Sequence, residues 1–154
     1  MKCLLKTIIS LVVIVAIAAV LLYFWGIPTL LAEDKAADHL EKKDYNVTVA
    51  SEAECGAMSL LTDYEIEGYI SAEKDNDMVS IWYLKDSSDA KKCKKEQEEA
   101  VQEIYDAMAD AVEIISPSKA ESLREEAKEI KTVRFGKIVI QGNVRGIVAA
   151  IAGL

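Results

Sequence analysis

The sequence predicts an α+β protein: an N-terminal transmembrane helix followed by a small ferredoxin-like (split βαβ) antiparallel sheet packed with helices. Three observations predict it. Residues 7–26 carry no charge. Residues 66–73 and 78–85 alternate apolar and polar side chains on either side of Asp75-Asn76-Asp77. From Ala90 to Ile115 apolar residues recur in steps of three and four, the spacing of one helical face.

The uncharged run is 20 residues long. As a helix it spans about 30 Å, the thickness of the hydrocarbon layer of a bilayer. Pro28 ends it, because proline cannot donate to a continuing helix. Tyr23, Phe24 and Trp25 cluster at that end, where amphipathic rings favour the headgroup level. Residues 1–28 therefore read as a membrane anchor, a short basic tail plus a transmembrane helix over residues 7–26. The competing reading is a cleaved secretory signal, whose apolar core runs to about 7–15 residues. Ala16-Ile17-Ala18 has the residue types for cleavage but lies inside the apolar run. Leu30-Leu31-Ala32 lies at the right place but has a large residue three back from the cut. Lys2 and Lys6 in so short a tail favour a cytoplasmic N-terminus and an extracytoplasmic C-terminal domain, against Lys35, Lys42 and Lys43 close to the other end.

Residues 29–44 read as a juxtamembrane helix, with Ala36, Ala37 and Leu40 as a narrow apolar stripe. Residues 45–154 read as a single α+β globular domain. Its first strand is the β-branched alternation of residues 44–50. A helix over residues 51–63 follows, opened by Ser51 with Glu54 three residues on, a capping-box pattern. Its expected inner face is Ala53, Ala57, Leu60 and Leu61. The alternating pair at 66–73 and 78–85 reads as a hairpin, with Trp82 or Tyr83 directed away from the main core. The long helix carries Ala90, Cys93, Gln97, Val101, Ile104, Met108, Val112 and Ile115 as its expected buried stripe. Ser116-Pro117 stops it and opens a second helix, with Ala120, Leu123, Ala127 and Ile130 inward. Residues 132–141 read as one strand, and residues 144–154 as a short helix that is apolar nearly all round.

Charge narrows the function classes. The 154 residues hold 18 Lys+Arg and 26 Asp+Glu, a net of -8. Lys2 and Lys6 are the only charges before Glu33, leaving 16 bases and 26 acids, a net of -10, in the rest. A domain of that balance lacks the basic face that nucleic-acid binding needs. There is one histidine, His39, and there are three cysteines, far apart. Neither a zinc site nor a Ser-His-Asp centre fits that inventory. The Asp75-Asn76-Asp77 turn departs from a calcium loop at Val79 and Ser80, where an oxygen ligand and glycine are needed. The glycines do not form a phosphate loop, and Asn46-Val47-Thr48 is a formal glycosylation triplet within a strand. No catalytic, cofactor-binding or metal-binding residue is expected.

Three groups remain as candidates. Cys55 and Cys93 could form a disulfide if the domain lies outside the cytoplasm, or stand as two buried thiols. Lys91, Lys92, Lys94 and Lys95 crowd the start of the long helix, against the helix dipole. They make a candidate basic contact patch for anionic headgroups or an acidic partner. Val144, Ile147, Val148 and Ile151 are a candidate interface, with core packing as the alternative.

In layout the chain is similar to small single-pass proteins of Gram-positive bacteria, with a basic tip, one apolar helix and an acidic α+β domain outside. The likeness covers layout and no motif. The function expected is non-catalytic: the acidic domain binds or supports another envelope component. The expected partners are the bilayer through residues 7–26, a membrane or envelope protein and, as a further option, a second copy of the chain. A signal-peptide-cleaved secreted binding domain is the alternative. A carboxylate- or Ser-dependent hydrolase has less support.

Overall fold

The computed structural model describes residues 32–151. The expected anchor over residues 7–26 lies outside them. Among the described residues no helix is long and apolar enough to cross a membrane.

The elements run α1 (Glu33–Glu41), β1 (Asn46–Val49), α2 (Glu52–Leu61), β2 (Ile66–Lys74), β3 (Asp77–Leu84), α3 (Ser87–Glu113), α4 (Pro117–Glu129), β4 (Lys131–Phe135), β5 (Ile138–Gly142) and α5 (Val144–Ile151). The fold is α+β, as expected. Its five strands form one sheet in the order β1-β2-β3-β5-β4, every neighbouring pair antiparallel.

That order realises only half of the ferredoxin-like expectation. β3 and β4 run parallel with β5 between them, so β3-α3-α4-β4 is a split crossover. β1 and β2, by contrast, pair directly and antiparallel despite the intervening α2. The residues expected to be one strand, 132–141, divide into β4 and β5 at Gly136. This glycine sits at φ +60° with open space around it, and left-handed backbone of this kind suits a tight hairpin.

Helices cover both faces of the sheet. On one, Ile70, Ala72, Val79, Ile81, Tyr83, Ile138 and Ile140 meet Ala36 and Leu40 of α1 and Ile147, Ala149 and Ala150 of α5. On the other, Ile66, Trp82, Leu84 and Val139 meet Cys55 of α2 and Ala90 and Cys93 of α3. Each fully buried aliphatic side chain here is worth about 1.5–3 kcal/mol of removed apolar surface. Trp82 and Tyr83 are therefore both inside, one on each face, which corrects the expectation that one points outward. Ile66 and Ile70 lie on opposite faces although they are four residues apart. The register slips between Ile66 and Gly68, and one extra residue reverses which side a strand presents.

Local chemistry starts the helices. Ser51 and Glu54 form the expected capping box, with the Ser51 N–H donating to Glu54 Oε2 at 2.7 Å. α3 is capped by Asp86, which accepts from the Ser88 and Asp89 amides at 2.7 and 3.0 Å. Those bonds hold the Asp86 carboxyl below its ordinary value. Pro117 opens α4, but Ser116 makes no side-chain cap.

Two expected inner faces are misplaced. In α2 the buried side chain is Cys55, with Met58 packed beside it. The opposite side, Ala53, Ala57, Leu60 and Leu61, is exposed. Ser59 and Thr62 are tolerated on the inner side because their hydroxyls donate to the Cys55 and Met58 carbonyls. In α3 the stripe is buried at Ala90 and Cys93 and then fails at Ile104 and Met108. The helix is 27 residues long, about 40 Å, whereas the eight residues of β3 span about 26 Å. The helix outruns the sheet.

Candidate functional site

A shallow cleft of about 520 Å³ lies at the β2–β3 turn, lined by Asn76, Asp77, Glu129, Lys131, Asn143, Val144 and Arg145. Its most central side chain is already committed to the fold. Asn143 donates to the Asn76 carbonyl and to Asp77 Oδ1, both at 3.0 Å, and accepts from the Gly146 amide at 2.8 Å. It joins the hairpin to the start of α5, and Glu129 and Arg145 line the cleft beside it.

Among the described residues no cluster of His, Cys, Asp and Glu is arranged to hold a metal ion. His39 is half-buried beneath α5, and its Nε2 has no hydrogen-bond partner there. Burial, then Lys43 and Lys42, lower its pKa from the ordinary 6.5.

Cys55 and Cys93 fall in the same apolar cluster, as free thiols. Burial pushes the Cys93 thiol up to about 12. Burial, followed by Glu33 and Glu54, raises that of Cys55. Such thiols are poor nucleophiles.

The four lysines stand at the start of α3, one turn past the Asp86 cap. Lys94 and Lys95 pair with Glu98 and Glu99 at 3.2 and 3.5 Å. Lys92 turns the other way, donating to the Asp63 carbonyl at 2.8 Å and lying 3.6 Å from Asp89. The patch therefore adjoins the loop that follows α2.

The C-terminal candidate interface divides. Ile147 is in the core and Ile151 packs against it, while Val144 and Val148 are exposed.

The most exposed large apolar residues lie elsewhere. Leu60 and Leu61 end α2 at 88% and 87% exposure, and Ile114 and Ile115 follow α3 at 94% and 86%. Ile104 and Met108 extend the second group along the overhanging half of α3. That half is stiffened by α4, whose Arg124 grips Asp110 and Glu113 at 2.9 and 2.8 Å. Ala109 and Ala120 are fully buried in the two helices, so their backbones approach closely. The result is a helical hairpin with an apolar tip.

Both pairs had a signal in the sequence. Two adjacent residues on a helix point about 100° apart, so when both are large and apolar at a helix end, one of them tends to face solvent.

No family model, curated protein or solved structure matches the chain.

Proposed function

We propose that the chain is a non-catalytic, single-pass membrane protein, its N-terminus cytoplasmic and its acidic domain extracytoplasmic. The domain binds another envelope component through the tip of the α3–α4 hairpin. The observation that carries this reading is the exposure of Ile104, Met108, Ile114 and Ile115 on one rigid projection. Contiguous apolar surface of this kind marks interaction sites, and a helix face with anchors one turn apart suits a groove in a partner. Glu103 and Asp106 along the same helix, which Arg124 leaves free by holding Asp110 and Glu113, favour a partner with a basic rim.

The test is site-specific photo-crosslinking in the full-length chain, in membranes of its own cells. A photoreactive residue at Met108 or Ile115 is expected to give one discrete adduct, and one at Ser122 on the outer side of α4 none. Ile114→Ser with Ile104→Ser should abolish the adduct. Equal crosslinking at Ser122, or none at the tip, would overturn the reading. Sequencing the mature N-terminus tests the tether separately, because α1 begins at Glu33 and cleavage after Ala32 would release an intact domain.

A further inference from the structure

We infer that the domain lies against its bilayer through the C-terminal end of α2, with Leu60 and Leu61 in the interface and the α3 lysines over anionic headgroups. The inference rests on the tethered reading of residues 7–26.

Three independent placements converge. The first is where the chain enters the domain. The Glu33 carboxyl lies over Gly68, near the start of β2, so Ala32, the first described residue, lies at that end of the sheet. The second is the position of the exposed leucines. The Ile66 amide, the first of β2, donates to Ser59 Oγ at 2.8 Å, so the last turn of α2 sits at the same end. The third is charge. The Lys92–Asp63 bond puts the first turns of α3 beside the loop just past Leu61, and Lys91 and Lys95 lie exposed on the outer side of those turns.

An apolar pair flanked by lysines, at the end of the sheet where the described chain begins, fits an anionic bilayer surface better than a protein groove. Apolar side chains enter the headgroup boundary while lysines stay at the phosphates, each adding about 1 kcal/mol near the surface. Asp63 is exposed beside this pair, and part of the other acidic charge nearby is already held. Glu65 and Glu67 are held by Lys85 and Lys137 at 2.6 and 2.9 Å, and Asp89 accepts from the Glu65 amide at 3.0 Å. The tether also makes the contact intramolecular, so weak insertion suffices.

The experiment uses the full-length chain reconstituted into vesicles of phosphatidylcholine and phosphatidylglycerol doped with a diazirine phospholipid. Crosslinked peptides are mapped by mass spectrometry. Lipid adducts are expected on the peptide containing Leu60 and Leu61 as well as on residues 7–26. Leu60→Ser/Leu61→Ser should lower the former about tenfold. Lys91→Glu/Lys95→Glu should lower it in anionic vesicles and leave it unchanged in pure phosphatidylcholine. Thermal unfolding of the variants checks that both fold, as expected for surface positions. Adducts confined to residues 7–26 overturn the docking and leave the tether standing. No adducts anywhere, with the chain unbound after flotation, overturn both.

Discussion

The Glu33 carboxyl group occupies the space that a β-carbon on Gly68 would need. Burial, and secondarily Asp34, raise its pKa from the ordinary 4.5. A raised carboxyl pKa means that the folded chain holds its proton more tightly than the unfolded one. Stability is then fully present below about pH 4.5 and falls as pH rises through the folded value. Glu33→Gln is expected to raise the urea midpoint at pH 7, with the gain vanishing below pH 4.5. An unchanged midpoint at pH 7 would show that the carboxylate costs nothing where it lies.

Two glycines make opposite demands. A β-carbon at Gly142 would overlap the Met78 carbonyl oxygen and come within 3.0 Å of Val79 Cα, both backbone atoms. Gly142→Ala is expected to cost about 1–3 kcal/mol by overpacking. Gly56 lies within α2 with nothing near a β-carbon. Gly56→Ala should gain about 0.5–1 kcal/mol from lost unfolded-state freedom. Urea unfolding of the pair checks the signs, and two shifts of the same sign would contradict the placement of β5 against β3.

The buried thiols carry a reactivity prediction. Iodoacetamide at pH 8 should leave Cys55 and Cys93 unmodified in the folded chain and alkylate both in denaturant, read by intact mass. Rapid modification of Cys93 in the native state would remove it from the core. The same burial predicts alkaline sensitivity. The unfolded thiol titrates near 9.0 and the folded Cys93 at about 12. Its contribution is full below pH 9 and is lost as pH rises toward 12. Tyr64 and Tyr83 shift in the same direction by burial, so the melting temperature should fall steadily above pH 9.

Tyr83 buries a hydroxyl that finds no partner among the described residues. An unsatisfied buried hydroxyl costs about 1–3 kcal/mol. Tyr83→Phe should therefore raise stability, by up to about 1 kcal/mol once the remaining ring packing is counted. A clear loss on calorimetry would reveal a hydrogen bond to that oxygen.

How much of this was legible depended on the range of the interaction. The Ser51–Glu54 box, the Pro117 start and the β2–β3 hairpin rest on contacts between near neighbours, and the sequence displays them directly. The inner side of α2 was not legible, because Ser59 and Thr62 hide their polarity by bonding the helix backbone. The exposure of Ile104 and Met108 was not legible either. Periodicity marks a face, whereas beyond the sheet it is α4 that covers α3, on the side of Ala109, leaving Ile104 and Met108 outside. Strand order is the most remote property of all. The insertion of β5 between β3 and β4 depends on pairings far apart in the chain, and a glycine in a run such as Phe135-Gly136-Lys137 is the one local sign of it. The candidate surfaces follow the same rule. The lysine cluster is visible as a string of residues, but its proximity to Leu60 and Leu61 exists only in three dimensions.

The two flanks of the sheet bear on how the molecule tolerates crowding. β1 contributes four residues on one flank and β4 five on the other, the latter carrying Lys131 and Arg134. An unpaired strand is a template for another chain, and natural sheets blunt it by brevity and by charge. Both devices are present here. Copies crowded together would find little backbone to zip together along either edge.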